Sequence, residues 1–155
     1  MGRLGTWLGF AGLAIGCGGL APERVEDAPD EPPALEVTLR ANRIVFNRPI
    51  RFADDTDELL AESHEVLDRV AELLAERGNL VRVQVQGHSS TRGTTQQNQE
   101  LSARRAAAVA AYLRAGGVRQ EITSRGFGET YPVCHEETDD CHERNGRVEL
   151  FVDEQ

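Results

Sequence analysis

Between Glu62 and Gly117 the apolar residues change their spacing twice, and that double change limits what the chain can fold into. In "ESHEVLDRVAELLAERGN", Val66, Leu67, Val70, Leu73 and Leu74 fall at i, i+1, i+4, i+7 and i+8. This is the stripe of an amphipathic helix, and Gly78-Asn79 is its stop signal. "LVRVQVQG" then alternates, with Val81, Val83 and Val85 expected inward and Arg82, Gln84 and Gln86 outward. The helical period returns after Gly93. Thr94 and Gln97 have capping-box spacing, and "NQELSARRAAAVAAYLRA" runs to a second stop at Gly116-Gly117. Two one-sided helices flanking a strand need a sheet on which to bury their stripes.

The flanking segments supply it. "LEVTLRANRIVFNRPIRF" offers Val37, Leu39, Ile44 and Phe46 as strand positions, and Pro49 marks a strand end or an edge. "EITSRGFGE" reads as a short strand. "GRVELFV" closes the chain, with Val148, Leu150 and Val152 alternating against Glu149 and Phe151. The predicted order is strand, helix, strand, helix, strand, loop, strand (β-α-β-α-β-β). It makes an α/β (α+β) two-layer sandwich with two helices packed on one face of a mixed sheet. No internal repeat is visible.

The second helix contains an anomaly. At 100° per residue Leu101, Ala108, Val109, Tyr112 and Leu113 share one side, and Arg105 falls among them while Arg104 lies toward the other. A guanidinium on the packing face is a structural ion pair, a snorkelling stem or a ligand contact.

The first 35 residues are of another kind. One arginine precedes an uncharged run from Leu4 that reaches Leu13-Ala14-Ile15-Gly16-Cys17, the layout of a secretory signal. The competing reading is an uncleaved membrane anchor, since Leu4 to Pro22 approaches the roughly 20 residues that a spanning helix needs. Six glycines from Gly5 to Gly19 weaken such a helix. Either reading puts the domain outside the cytoplasm. "GGLAPERVEDAPDEPPA" is rich in Pro, Asp and Glu, which suits an extended tether. A net charge of -9 leaves no basic footprint for nucleic acid.

"CHEETDDCH" offers two chemistries: two Cys-His pairs as zinc ligands, or a Cys134–Cys141 disulfide. An extracytoplasmic setting favours the disulfide. His88 ends a strand and is expected to be structural; His64 has no visible partner. His88, Ser89 and Ser90 are neighbours whose side chains diverge along a strand. No catalytic triad spacing is present, so no enzyme activity, cofactor or metal is expected.

The blocks "GHSSTRG", "NQELSARRAAAVAAYL", "GFGETYP" and "NGRVELFV" stand in the order and spacing of a known family. Over about residues 43–153 the chain resembles the OmpA-like peptidoglycan-binding domain, also present in peptidoglycan-associated lipoproteins and flagellar stator proteins. The N-terminus resembles a bacterial lipoprotein signal, with Ala14 where leucine is commoner. That resemblance implies a signal peptide at 1–16, lipidation (palmitate included) of Cys17, a tether over 17–35 and the domain over 36–155. It also implies a lipid anchor in the cell outer membrane, with the domain facing the periplasm. For the domain, the resemblance implies noncovalent binding of the diaminopimelate residue of the peptidoglycan stem peptide. Arg105 then takes the ligand's carboxylate, with Asn98 and Arg147 at further pocket positions. Some family members carry a disulfide in the same loop as Cys134 and Cys141.

Two positions depart from the family pattern. Ser90 stands where the family has an aspartate for the ligand's ammonium, and Gly146 stands where it usually has arginine. Losing a charge-assisted partner costs about 1.5–3 kcal/mol, roughly ten- to a hundredfold in affinity. Asp54, Asp55 and Glu100 are candidate substitutes for that carboxylate. The competing expectation is an envelope scaffold that keeps the fold, has lost the ligand and contacts protein partners.

Overall fold

The computed structural model describes residues 33–155. The signal, Cys17 and the tether up to Pro32 lie outside the described residues. Strands β1 (Val37–Arg40) and β2 (Arg43–Phe46) form an antiparallel hairpin, followed by helix α1 (Ala61–Glu76) and strand β3 (Leu80–Gly87). Helix α2 (Thr95–Ala115), strand β4 (Glu121–Gly126), a short helix α3 (Asp139–Asn145) and strand β5 (Val148–Glu154) complete the order. The sheet runs β1-β2-β5-β3-β4. β3 and β4 are parallel, and the other neighbours are antiparallel, so the sheet is mixed as expected.

The packing follows from the two periods. Val66, Leu67, Val70 and Leu74 of α1 and Val109, Ala110 and Leu113 of α2 are buried against Val83, Val85, Leu150 and Val152 of the sheet. α2 starts with the expected capping box: Thr94 Oγ accepts from Gln97 N at 3.2 Å, and Gln97 Oε1 accepts from Thr94 N at 3.1 Å. It ends at Gly116, followed by Gly117 at φ +83°, a conformation glycine adopts without strain.

α2 bridges the parallel strands β3 and β4 and rests on two glycines at their ends. A Cβ on Gly87 would lie 2.1 Å from Ser102 O, and one on Gly126 would lie 2.4 Å from Ala103 N. Ser102 is fully buried at this contact; its Oγ donates to Gln99 O and accepts from Gly128 N, each at 2.9 Å.

Four expectations change. Val81 is 40% exposed, because the β3–β5 pairing shifts register between Leu80 and Arg82 and turns Leu80 inward instead. Two strands, rather than one, precede α1. The segment expected to be a loop before the last strand contains α3, capped by Thr138, whose Oγ accepts from Cys141 N. His64 has a partner, stacking on Tyr112 with ring centroids 5.0 Å apart.

The close approach at Gly126 gives the first prediction. Gly126→Ala should lower stability by about 3 kcal/mol, because neither backbone can yield to the added methyl. Urea unfolding followed by circular dichroism measures it, with Gly78→Ala, which meets nothing within 4 Å, as the control.

Candidate functional site

A cleft of about 600 Å³ opens at the N-terminal end of α2. Its walls come from the β2–α1 connection, the turn after β3, α2 and α3. The β2–α1 connection is held in shape by backbone pairing. Phe52 bridges Leu59, and Ala53 N donates to Glu58 O at 2.9 Å. Ser63 fixes its base: Arg51 N donates to Ser63 Oγ at 2.7 Å, and Ser63 Oγ donates to Arg51 O at 2.9 Å. The tip of this connection presents Asp54 and Asp55 to the cleft, and Asp55 sits at φ 55°, where a non-glycine residue carries strain.

Arg105 reaches this tip from α2. Its Nε donates to Thr56 O at 2.8 Å, and its guanidinium carbon lies 5.0 Å from the Phe52 ring centroid. Burial pulls its pKa down, opposed by the nearby carboxylates Asp55 and Asp57; an arginine stays charged regardless. The other two arginines of the cleft are paired, Arg51 with Glu143 and Arg92 with Asp139. Among the described residues, no carboxylate lies within ion-pair distance of Arg105, and neither Asp54 nor Asp55 has a basic partner. The cleft therefore holds one unpaired cation beside two unpaired anions, an arrangement matched by a small zwitterion.

Ser90, Asn98 and Arg105 are brought together in the lining of this cleft. Ser90 Oγ accepts from Arg92 N at 3.3 Å. Asn98 is 5% exposed and donates through Nδ2 to Glu129 Oε2 at 2.7 Å. Arg147 lies outside this lining. Its Nε donates to Glu149 Oε1 at 2.8 Å and its Nη atoms donate to Tyr131 O at 3.2 Å. Of the three candidate substitute carboxylates, Asp54 and Asp55 face the cleft. Glu100 does not, and accepts from Gln96 Nε2 on the exposed side of α2. Sequence reasoning missed the contributions of Arg51, Arg92, Asp139, His142 and Glu143. Their signal is weak, because they meet only through the placement of α3.

α3 is pinned from both ends. Cys134 and Cys141 form a disulfide, and Asn145 accepts through Oδ1 from Val133 N and Cys134 N while donating through Nδ2 to Cys134 O. Among the described residues no group of His, Cys, Asp and Glu is arranged to hold a metal ion, and no helix is long and apolar enough to cross a membrane. His88 is 3% exposed, stacked on Phe127, with neither ring nitrogen hydrogen-bonded. Burial, with Arg147 nearby, lowers its pKa to about 4.

Fold and cleft together define a two-layer α/β binding module. The chain belongs to the OmpA family, whose pattern matches residues 51–146. It is 34% identical over 147 residues to the outer membrane protein A of Bordetella avium, covering 94% of this chain and 71% of that protein. It is 35% identical over 132 residues to the peptidoglycan-binding protein ArfA of Mycobacterium bovis, covering 81% of this chain but only 39% of that protein. The peptidoglycan-associated lipoprotein of Rhizobium meliloti is 30% identical over 139 residues, 89% of this chain and 70% of that one. Among solved structures, the cell wall anchor of the T6SS from Pseudomonas aeruginosa superposes with a TM-score of 0.64 at 29% identity. That match covers 78% of this chain and 88% of the anchor.

Two predictions follow from these contacts. Cys134→Ser should cost about 2.5 kcal/mol of stability by the loop-entropy estimate, measured as the difference in chemical unfolding under oxidising conditions. The second concerns His88. Below pH 6.5 the unfolded chain takes up a proton that folded His88 refuses until about pH 4. Its contribution is therefore complete above pH 6.5 and lost as pH falls toward 4. A His88→Phe variant should show a shallower decline over that window in thermal unfolding.

Proposed function

We propose that this protein binds peptidoglycan noncovalently through the cleft at the N-terminal end of α2 and so links an envelope membrane to the cell wall. The observation that carries the reading is Arg105, half-buried and without a carboxylate partner among the described residues, beside the unpaired Asp54 and Asp55. The chemistry suits the free end of a diaminopimelate residue, which bears an ammonium and a carboxylate on one carbon. The guanidinium grips the carboxylate bidentately, and the N-terminal end of α2 adds partial positive charge. Asp54 and Asp55 take the ammonium, the task for which the family aspartate is replaced here by Ser90. Asn98 and Ser90 line the same space, while Arg147 braces β5 through Glu149 from outside the cleft. The relatives, a peptidoglycan-binding protein, a peptidoglycan-associated lipoprotein and a cell wall anchor, support the same assignment. Cys17 and the tether attach the domain by lipid to the outer membrane, on the side that faces the wall. The domain's role is attachment rather than catalysis.

Co-sedimentation of the full chain with purified diaminopimelate-type sacculi tests the reading. Wild type should pellet, and Arg105→Ala should bind ten- to a hundredfold more weakly. Wild type that stays soluble while Ser90→Asp pellets would overturn the reading in favour of an envelope scaffold that meets protein partners.

A further inference from the structure

Glu129 stands outside the lining of the cleft yet bonds to a residue inside it. The loop after β4 carries it onto the start of α2. There Gly128 O accepts from Ser89 N, and Gly128 N donates to the buried Ser102 Oγ, each at 2.9 Å. Both carboxylate oxygens of Glu129 are engaged by α2. Oε1 accepts from Thr95 Oγ1 at 2.8 Å, and Oε2 accepts from Asn98 Nδ2 at 2.7 Å. A carboxylate only accepts hydrogen bonds, so the Asn98 amide has one orientation open to it: the NH2 faces Glu129 and the carbonyl oxygen faces away. Asn98 is 5% exposed and lines the cleft. Among the described residues its Oδ1 has no hydrogen-bond partner, yet this oxygen is not sealed from solvent as Ser89 Oγ is. Gly93 leaves it uncovered, since a Cβ there would stand 3.8 Å away.

We propose that Glu129 is a positioning residue for ligand binding: it fixes the Asn98 amide so that Oδ1 accepts a hydrogen bond from the ammonium of the zwitterion whose carboxylate Arg105 grips. The inference rests on the function proposed above and adds a fixed acceptor on α2 to the two carboxylates of the β2–α1 connection. Asn98 and Arg105 are two turns apart on one face of α2, with about 10 Å between their Cα atoms. Side chains of a helix lean toward its N-terminus, which brings the guanidinium back toward Asn98. An amide free to turn over presents its NH2 as readily as its oxygen, and an NH2 offers an ammonium nothing to bond. Held by Glu129, Asn98 shows the acceptor before the ligand arrives, so no side-chain freedom is lost there on binding. The charge on Glu129 also polarises the amide, which strengthens the oxygen as an acceptor.

Titration calorimetry of the full chain with diaminopimelate tests this in Glu129→Gln, Asn98→Ala and the double variant, with circular dichroism to check that each is folded. Glutamine fills the same volume but offers Asn98 either end of its own amide, so the orientation is lost. Each single variant should bind about tenfold more weakly than wild type. The double variant should bind no more weakly than Asn98→Ala alone, because Glu129 acts through Asn98. A double variant weaker than Asn98→Ala assigns Glu129 a general structural role and overturns the proposal, as does a Glu129→Gln variant that binds like wild type. Both results leave the wall-binding reading standing. If a single variant does not fold, Asn98→Asp combined with Glu129→Gln keeps volume and pairing. Its aspartate presents an acceptor in either orientation, so it should bind several-fold more tightly than wild type, and unchanged or weaker binding overturns the proposal. Wild type that does not bind diaminopimelate overturns the wall-binding reading and the role of Glu129 with it.

Discussion

The contact between α2 and the ends of β3 and β4 governs the rest of the molecule. Gly87 and Gly126 let the helix backbone come nearer to the sheet than any Cβ would allow, and Ser102 fills the remaining polar need at that point. Such an approach fixes the height and the rotation of α2 together. With both fixed, Val109 and Leu113 enter the core while Arg105 is carried to the rim, where the β2–α1 connection receives its Nε. The arginine that breaks the apolar stripe is therefore a consequence of how the helix is seated.

Charge in the cleft is distributed unevenly, and the unevenness is informative. Arg51 and Arg92 are neutralised by α3, while among the described residues Arg105 and the Asp54–Asp55 tip line the same cleft without pairing. Burial of the Arg105 guanidinium costs free energy that an entering carboxylate would offset, while Asp54 and Asp55 stay exposed to water. The Phe52 ring and Thr56 O hold the guanidinium in place meanwhile, so little ordering is left for the ligand to bring about.

Much of this was legible in the chain. The alternation in β5, the two helix stripes, the Thr94–Gln97 capping box and the glycine stops all act through local rules, and the structure keeps them. The departures arise where a distant partner overrides the local pattern. Val81 fits the alternation, but β5 forces a shift of register next to it. α3 is too short to show a period, and the disulfide and Asn145 contribute to its position. Asp54 and Asp55 look like ordinary loop acids in sequence, and only the pairing of Phe52 with Leu59 turns them toward Arg105. Arg147, a pocket position implied by the family resemblance, donates to Glu149 and Tyr131 and lies outside the lining that holds Arg105.

The strand order has a consequence in time. β5 is the last element of the chain, yet it lies between β2 and β3 and joins the N-terminal hairpin to the rest of the sheet. Until those residues arrive, β2 and β3 have no common neighbour, and the core has no Leu150 or Val152 to close it. Closing the sheet brings together positions more than a hundred residues apart, such as Ile44 and Leu150, the kind of contact that forms late. The topology thus makes completion of the sheet wait on β5, which must pair with β2 on one side and β3 on the other.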